Sequence, residues 1–409
     1  MIGIPRRTIH MYPGEVSDLL STALKEPSEH RALVSAFEDA FTRHAGDGLA
    51  VPVGAGRLGL RLIFESLNIG AGDSVVVPAF TDQSVPNAVR RVGAEPVFVD
   101  VERETYNIDP KALEAILDLD RDRPIRAVIA THIFGAPCDL NTISALCAAR
   151  NITVLEDCAH AIDARSQGRR CGLVGEAAIF SFVVTKAVNT FGGGMVLTRK
   201  KHIADYVREA TRQLPQPKKS ALGRRIIVGW LLHQFTRPAV FGNVGLPIMN
   251  GLKSAGGDAI SSYNKFVRPG TQNAHVDTAF SPIQAAAGLT QLRMLGSTQS
   301  RRTRAATQII ASLPPHVRAQ GTLTGDQHAW YFLVATTENP DAVVSALSEQ
   351  RVDVGRYPMR NVAALEDPTN GPLDFPNAQW VYEHSIQIPI HPTLSEDHIG
   401  RVCRAFSRI

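Results

Sequence analysis

The sequence predicts a two-part α/β protein that is built on a mostly parallel sheet. Short apolar stretches alternate with helical patterns from about residue 48 to residue 200, and some, such as SVVVPA at 74–79, are apolar throughout. A second, shorter alternation begins at residue 328. Strands that alternate with helices form parallel sheets covered on both faces, and such strands are continuously apolar. The length of 409 residues also exceeds what one core holds.

The first alternation supplies most of the predicted elements. It is preceded by a helical region at residues 15–44, with an amphipathic piece at Leu33, Phe37 and Phe41. The predicted strands are 48–53, 74–79, 95–100, 127–133, 152–157 and a pair within 178–198, and the predicted helices are 57–67, 84–92, 110–117 and 139–150.

The alternation of apolar strands and helical patterns stops after residue 200, and this change sets the predicted domain boundaries. Basic residues, prolines and the apolar run IIVGWLLHQF predict a helical insertion at 206–275. A long helix at 279–312 follows, and then strands in AWYFLVAT, VDVGR and IQIPIHP with helices at 340–349 and from 395. We therefore predict a large domain of residues 1–205 and 276–312, the insertion, and a small C-terminal α/β domain of residues 313–409.

Composition excludes several classes of protein. The net charge of +4 is small for this length and does not indicate nucleic acid. Five scattered cysteines without a C-x-x-C pair predict a reducing compartment, no disulfide framework and no metal site. No stretch resembles a signal peptide or a spanning helix, so we expect a cytoplasmic protein.

The glycines of VPVGAGRLGL spell G-x-G-x-x-G at Gly54, Gly56 and Gly59. A dinucleotide site also needs an acidic residue after the second strand, but the nearest, Asp73, precedes that strand. The glycines could serve tight packing alone. The alternative that we favour is a helix N-terminus that holds one phosphate, with Arg57 adding a charge-assisted contact.

Two further stretches point to the chemistry of that phosphate. The strand TVLED ends in Glu156 and Asp157, and FSFVVTKAVNTFGGG carries Ser181 and Lys186 between two strands. Taken alone, Asp157 could be a helix cap and Lys186 an exposed turn residue. Of the nine lysines, however, only Lys186 is flanked on both sides by apolar sequence and glycines. A desolvated lysine, a carboxylate and a phosphate cradle together suggest pyridoxal phosphate.

With these residues in place, the sequence resembles the DegT/DnrJ/EryC1/StrS family of sugar aminotransferases. The resemblance covers nearly the whole chain except 206–275. The matching stretches are 69–81, 93–110, 132–140, 154–161, 175–198 and 386–402. It implies an aspartate-aminotransferase-like fold (fold type I), with a large mostly parallel sheet domain, a small C-terminal α/β domain, and homodimers with active sites at the subunit interface.

The resemblance also implies roles for individual residues. Lys186 would form the Schiff base with pyridoxal 5′-phosphate and shuttle protons, and Asp157 would bind the pyridine nitrogen. Ser181, with Gly56 and Arg57, would bind the phosphate. A histidine, His160, stands where the family often has glutamine, near the phenolic oxygen of the cofactor; it could equally be structural.

Three positions depart from the family pattern. Asp82 replaces the aromatic residue that stacks on the cofactor ring, although its position still belongs to the cofactor site. Asp277 and Ala279 replace the Asn and Arg of a Gly-x-Asn-x-Arg stretch. The glycine-rich loop after the first helix is replaced by KEPSEHRAL.

The predicted function is transfer of an amino group from glutamate to a keto group of a nucleotide-linked sugar. A sugar dehydratase of the same family is disfavoured because that branch replaces the lysine. A non-catalytic binding or regulatory protein is favoured only by the departures, and an NAD-dependent dehydrogenase only by the glycines.

Residues 218–250 leave a further question open. The apolar run with its neighbours Lys218, Lys219, Arg224 and Arg225 could lie on an anionic membrane surface. Alternatively, the apolar segment is buried at a subunit or domain interface.

Overall fold

The computed structural model describes residues 3–23, 26–119, 121–245, 247, 277–356, 359–366 and 375–409. Two sheets dominate this part of the chain. The strands are β1 (Leu49–Val53), β2 (Ser74–Pro78), β3 (Phe80–Thr81), β4 (Glu95–Val99), β5 (Ile125–Thr131), β6 (Thr153–Asp157), β7 (Arg165–Ser166), β8 (Arg169–Arg170), β9 (Ala177–Ser181), β10 (Gly194–Thr198), β11 (Arg318–Ala319), β12 (Leu333–Thr336), β13 (Gly355–Arg356), β14 (Arg360–Asn361) and β15 (Ser385–Ile388).

The helices surround these sheets. They are α1 (Glu15–Ala23), α2 (Pro27–Ala45), α3 (Gly56–Ser66), α4 (Ser84–Arg91), α5 (Pro110–Leu117), α6 (Leu140–Ala148), α7 (Lys201–Arg212), α8 (Lys219–Phe235), α9 (Pro238–Val240), α10 (Pro282–Ile310), α11 (Pro340–Glu349), α12 (Val362–Glu366), α13 (Pro376–His384) and α14 (Glu396–Phe406). A π turn at Phe241–Gly245 follows α9.

The large sheet has seven strands in the order β1-β10-β9-β6-β5-β2-β4. Only β10 runs against the others, because it pairs antiparallel with both β1 and β9. The remaining strands are mutually parallel. Their carboxyl ends therefore lie along one edge of the sheet, where open α/β sheets bind their ligands.

Both faces of the large sheet are buried, which explains the continuously apolar strands. Val75 and Val77 of β2 pack under α3, α4 and α7, whereas Val76 packs under α5 and α6. The alternation follows from strand geometry, since successive side chains point to opposite faces. A third cluster joins α2 and α10 to β9 and β10 through Phe37 and Phe180.

The small sheet has the order β11-β12-β15-β13 and is antiparallel throughout. Its apolar face packs on α11, α14 and the end of α10. The predicted fold class, a mostly parallel large sheet with a smaller α/β unit, is confirmed. The predicted domain boundaries stay predictions.

The N-terminal segment reaches this small sheet. Ile4 bridges to Val352, and its N–H donates to the Arg351 carbonyl at 2.9 Å. Arg6 pairs with Asp353 at 3.2 Å. The first described residues are thus built into the C-terminal part of the fold.

Several element boundaries differ from the predictions. The helical region 15–44 is two helices, and the second begins at Pro27, which lacks the N–H that a continuing helix needs. The strand predicted in AWYFLVAT forms only at Leu333–Thr336, because Trp330 has a φ of 48° that no strand accommodates. The strand predicted in IQIPIHP ends before Pro389. The predicted insertion contains α8 and α9, while residues 248–276 lie outside the described residues.

Candidate active site

A cleft with an empty volume of about 790 Å³, partly open to solvent, lies at the carboxyl edge of the large sheet. All seven predicted site residues line it: Gly56, Arg57, Asp82, Asp157, His160, Ser181 and Lys186. They come together because each follows the carboxyl end of a parallel strand.

One wall of the cleft is the N-terminus of α3. Its N-cap, Ala55, is extended and supplies no side-chain hydrogen bond to the first turn. A Cβ added to Gly56 would lie 3.7 Å from the Cβ of Ser181, so the two residues are neighbours. An uncapped helix start has unsatisfied N–H groups and a partial positive charge, and both favour an anion.

The other two glycines of G-x-G-x-x-G serve packing. A Cβ on Gly54 would lie 2.0 Å from the Thr278 carbonyl oxygen, and a Cβ on Gly59 would lie 3.0 Å from Val196. Asp73 sits in a turn, where it accepts the Gly70 N–H at 3.0 Å. No dinucleotide geometry results, because Asp73 is engaged away from the cleft.

Asp157 is a buried carboxylate at the end of β6. Its Oδ1 accepts the Ala159 N–H at 2.9 Å, and it makes no ion pair with any described Lys, Arg or His. Burial raises the pKa of Asp157, and the charge of Asp82 raises it further. The hydrogen bond from the Ala159 N–H and the charge of Lys186 act in the opposite direction but do not cancel the rise. Such a carboxylate is best stabilised by a cationic hydrogen-bond donor in the cleft.

The adjacent Glu156 points to the opposite face of the strand and is also fully buried. Its oxygens accept N–H groups of Gly172, Val174 and Gly175 and the Nε2–H of His132. Burial would raise the pKa of Glu156, but the His132 bond and the backbone donors hold it below its ordinary value.

His132, Glu156 and Cys171 have metal-ligand atoms close together. Nevertheless, Nδ1 of His132 accepts the Cys138 N–H at 3.0 Å. Burial and the charge of Glu156 hold the pKa of the Cys171 thiol well above its ordinary value. The cluster is therefore a satisfied hydrogen-bond network beneath the cleft, and its donors leave no open coordination position.

Lys186 lies in the loop that joins β9 to β10. Its Nζ is 4.6 Å from the centroid of the Tyr331 ring, and the Tyr331 hydroxyl lies 3.3 Å from Oγ1 of Thr185. This cation–π contact holds the amine in the lining of the cleft, and Lys186 makes no ion pair with an Asp or Glu of the described residues. No sequence pattern pointed to Tyr331, because it comes from a stretch about 145 residues away.

His160 is held as a neutral ring. Its Nδ1 accepts the Phe134 N–H at 3.2 Å, so the ring hydrogen belongs on Nε2. The ring stacks on Tyr331 at 4.3 Å and on Phe134 at 5.9 Å. Burial lowers the pKa of His160 well below its ordinary value, and the charges of Lys186 and Arg7 lower it further.

Asp82 follows β3 and lies across the cleft from Asp157. Its Oδ1 accepts the Ser84 N–H at 2.9 Å at the start of α4. A carboxylate therefore occupies the position predicted for an aromatic ring. The aromatic ring that lines the cleft is instead that of His160, which is backed by the stacked rings of Tyr331 and Phe134.

Two threonine hydroxyls were missed by the sequence reasoning. Thr81 and Thr131 line the cleft, and their Oγ1 atoms are buried with no hydrogen-bond partner in the described part of the chain. Both residues follow or end a strand at the carboxyl edge, which is the signal that could have found them. Buried hydroxyls without partners indicate a ligand or water in the cleft.

The replacement at Asp277 has a structural explanation. Its carboxylate pairs with Arg61 of α3 at 3.0 Å, and the Ala279 N–H donates to the Pro215 carbonyl at 2.9 Å. These contacts fix the chain as it enters α10.

Comparison with known proteins identifies the family. The profile of the DegT/DnrJ/EryC1/StrS aminotransferase family matches residues 25–224 and 252–407. The chain belongs to this family. It is therefore a pyridoxal-phosphate-dependent aminotransferase, as the resemblance implied, and the dehydrogenase alternative is not supported.

Similar proteins agree with this membership. The spore coat polysaccharide biosynthesis protein SpsC of Bacillus subtilis (strain 168) is 29% identical over 395 residues, which is 91% of this chain and 88% of that protein. The structure of S. venezuelae DesV in complex with a ketimine intermediate matches with a TM-score of 0.76 at 23% identity, over 100% of this chain and 98% of that one. DesI, solved in the presence of its TDP-sugar product, matches with a TM-score of 0.71 at 22% identity. This match covers 100% of this chain and 92% of the DesI chain. These two structures establish the fold type I architecture.

The cleft fits the cofactor of this family. Pyridoxal phosphate brings an anion, a protonatable ring nitrogen and an aldehyde. The uncapped start of α3 suits the anion. The buried Asp157 carboxylate, which has no ion-pair partner among the described residues, suits the protonated nitrogen, and Lys186 is an amine that can bond to the aldehyde carbon.

Proposed function

We propose that this enzyme transfers the amino group of glutamate to a keto group of a nucleotide-linked sugar. The proposal rests chiefly on one observation, the convergence of Lys186, Asp157 and the uncapped N-terminus of α3 on a single cleft. SpsC takes part, by its name, in polysaccharide biosynthesis, and DesI was solved with a TDP-sugar product. These relatives support a nucleotide-sugar acceptor.

In this proposal, the cofactor is bound by four kinds of contact. The N–H groups of Gly56 and Arg57 and the hydroxyl of Ser181 bind the phosphate. Asp157 accepts a hydrogen bond from the protonated ring nitrogen and keeps it charged. His160 donates from Nε2 to the phenolic oxygen, because its Nδ1 already accepts the Phe134 N–H.

Bound pyridoxal phosphate supplies an electron sink that stabilises negative charge at a carbon next to the transferred nitrogen. Lys186 performs the proton transfers. Its Nζ removes the proton from the α-carbon of the donor amino acid and, in the second half-reaction, delivers a proton to the former keto carbon of the acceptor. The Tyr331 ring keeps this amine in the lining of the cleft between the two steps.

Asp82 lies close enough to Asp157 to raise its pKa. We assign it to the cofactor site as a polar wall that replaces the stacking ring, with the stack of His160 and Tyr331 as the aromatic surface of the site.

The first experiment compares absorbance spectra of the wild type and Lys186→Ala with added pyridoxal phosphate, before and after glutamate. We expect a visible band that glutamate bleaches in the wild type, and neither the band nor the bleaching in Lys186→Ala. Lys201→Ala is the matched control, since Lys201 is exposed on α7, where it pairs with Asp205. A wild type without the band would favour the non-catalytic alternative.

The acceptor is tested separately, by mass spectrometry of products from keto-sugar nucleotides, the corresponding free keto sugars and simple keto acids. We expect amination of a nucleotide-linked sugar at least tenfold faster than of the free sugar. Equal rates on free sugars would refute the nucleotide link but leave the aminotransferase chemistry intact.

The proposal includes a homodimer, as the family resemblance implies. Light scattering coupled to size exclusion measures the mass directly. A monomer at assay concentration would contradict this part alone.

A further inference from the structure

The outer face of α8 carries three exposed apolar side chains. Ile227, Trp230 and Leu231 are 60%, 43% and 51% exposed, and their spacing of i, i+3 and i+4 puts them side by side. We call these three residues the α8 stripe. Leu222 and Ile226 of the same helix pack against the N-terminal segment and α1.

The stripe belongs to a larger apolar surface. Val240 and Val244, just beyond α8, are 39% and 47% exposed. Within the described residues, twelve large hydrophobic side chains are exposed, and five of them fall between residues 227 and 244. Such clustering marks a contact surface, whereas singly scattered apolar side chains do not.

The segment that carries the stripe contains basic residues and no acidic ones. Residues 210–257 contain seven Lys and Arg residues and no Asp or Glu. Seven positive charges exceed the net charge of +4 of the whole chain, so the rest of the chain is net acidic. Lys218, Lys219 and Arg224 are exposed, and Arg224 lies one turn before Ile227 on the same face of α8.

The stripe also lies outside the residues that the family profile matches. The profile covers residues 25–224 and 252–407 and leaves out residues 225–251. The sequence of the stripe is therefore not part of the pattern that defines the family.

We infer that the α8 stripe docks on an anionic lipid bilayer surface. The three apolar side chains enter the boundary between headgroups and acyl chains, and the basic residues contact lipid phosphates. α8 has only 17 residues, and no helix in the described part of the chain is long and apolar enough to cross a membrane. The contact is therefore parallel to the bilayer.

A second copy of the chain is a poorer occupant. A two-fold interface brings the same patch of both subunits together. Here it would place two sets of cations opposite each other, with no carboxylate in the segment to pair with them. An anionic surface satisfies both the apolar and the basic residues.

Co-sedimentation with vesicles tests this inference on the full-length protein. We expect sedimentation with vesicles of phosphatidylcholine and about 30% phosphatidylserine, and none with phosphatidylcholine alone. The double variant Ile227→Ser, Leu231→Ser should lower the partition coefficient at least tenfold and leave aminotransferase activity unchanged. The control is Leu119→Ser, because Leu119 is 58% exposed outside the segment.

A charge variant and a spectroscopic measurement complete the design. Lys218→Glu with Lys219→Glu should also weaken binding to anionic vesicles at least tenfold. Tryptophan emission should shift to shorter wavelength on binding, and Trp230→Phe should bind but lose that shift.

Three results would overturn the inference. The first is no binding of the wild type to anionic vesicles. The second is binding that the double variant retains in full, which would mean a purely electrostatic contact. The third is a double variant that turns a dimer into a monomer, which would identify a second copy as the occupant.

Discussion

At the scale of single residues, the cleft concentrates groups that are poorly satisfied by the protein itself. Asp157 is buried without an ion pair to a described residue, and Thr81 and Thr131 have hydroxyls without partners in the described chain. Such groups lower the stability of the ligand-free protein. They are kept in binding and catalytic sites because a bound ligand supplies the hydrogen bonds and charges that they lack.

Asp157→Asn should lower kcat without lowering the free energy of unfolding. The folded pKa of Asp157 is raised, so at neutral pH its charge destabilises the cofactor-free protein, and this penalty grows as the pH rises from the unfolded pKa through the folded one. An amide oxygen still accepts the Ala159 N–H. We expect urea unfolding at pH 7 to show an equal or higher free energy of unfolding, while kcat falls by about 10²-fold or more.

The matched control is Asp205→Asn, an exposed position on α7 where neither effect should appear. A variant of Asp157 that loses stability and keeps its activity would contradict the assignment.

Sequence and structure differ most at this scale. The residues Lys186, Asp157 and Ser181 could be predicted because they end or follow strands in a specific local pattern. Tyr331 could not, since its role depends on which distant segment packs against the lysine loop, whereas Thr131 ends a strand at the same edge and could have been found by that signal. The pattern also did not separate Glu156 from Asp157, which the alternation of β6 sends to opposite faces.

At the scale of elements, the antiparallel strand β10 is central to the site. It leads back from the loop that carries Lys186 and passes beside the start of α3. A Cβ on Gly194 would lie 2.4 Å from the Phe180 carbonyl oxygen and 2.8 Å from the Gly56 nitrogen. The absence of a side chain at this position keeps the phosphate cradle and the lysine loop together.

Gly194→Ala should therefore loosen the cradle. We expect a loss of about 1–3 kcal/mol in the free energy of unfolding and weaker binding of pyridoxal phosphate, measured by urea titration and by fluorescence. Gly296→Ala is the control: no atom lies within 4 Å of its added Cβ, and it is exposed within α10.

That control should gain about 0.5–1 kcal/mol, because alanine is the better helix former. Unchanged cofactor affinity in Gly194→Ala would show that the close approach of β10 to α3 is not needed.

Element types were predicted more reliably than their ends. The parallel strands and their helices follow from hydrophobic periodicity, which is local. The break before Pro27 follows from the proline itself and was overlooked in the sequence, whereas the short β12 depends on the positive φ of Trp330, which the sequence pattern does not reveal.

At the scale of the whole molecule, burial lowers the pKa values of several histidines in the described part of the chain. Burial lowers the pKa of His10 to about 4 and those of His328 and His391 to about 3, and the pKa of His160 is also well below its ordinary value. Each is unprotonated in the folded chain at pH values where the unfolded chain binds a proton.

The folded protein should consequently lose stability in weak acid. The contribution of each histidine is fully present above pH 6.5 and is lost as the pH falls towards the folded pKa, by about 1.4 kcal/mol per pH unit. Chemical denaturation at pH 7.5, 6, 5 and 4 measures the slope. His328→Gln should lower the slope of unfolding free energy against pH by the amount that one bound proton contributes. His202→Gln, at an exposed position, should leave the slope unchanged.

A slope that is the same in His328→Gln and the wild type would mean that His328 already carries its proton in the folded state. That result would conflict with the 2.8 Å bond from the Trp330 N–H to its Nδ1.

The pairing of Arg6 with Asp353 also has a consequence for synthesis on the ribosome. The two residues are 347 positions apart, so at ordinary elongation rates the N-terminal segment waits roughly 20–70 s for its partner. The seven-stranded sheet emerges and can form during that time, but the small sheet stays incomplete until Ser385–Ile388 has been synthesised. Folding of this sheet is thus a late event, in which a segment made early joins residues made hundreds of positions later.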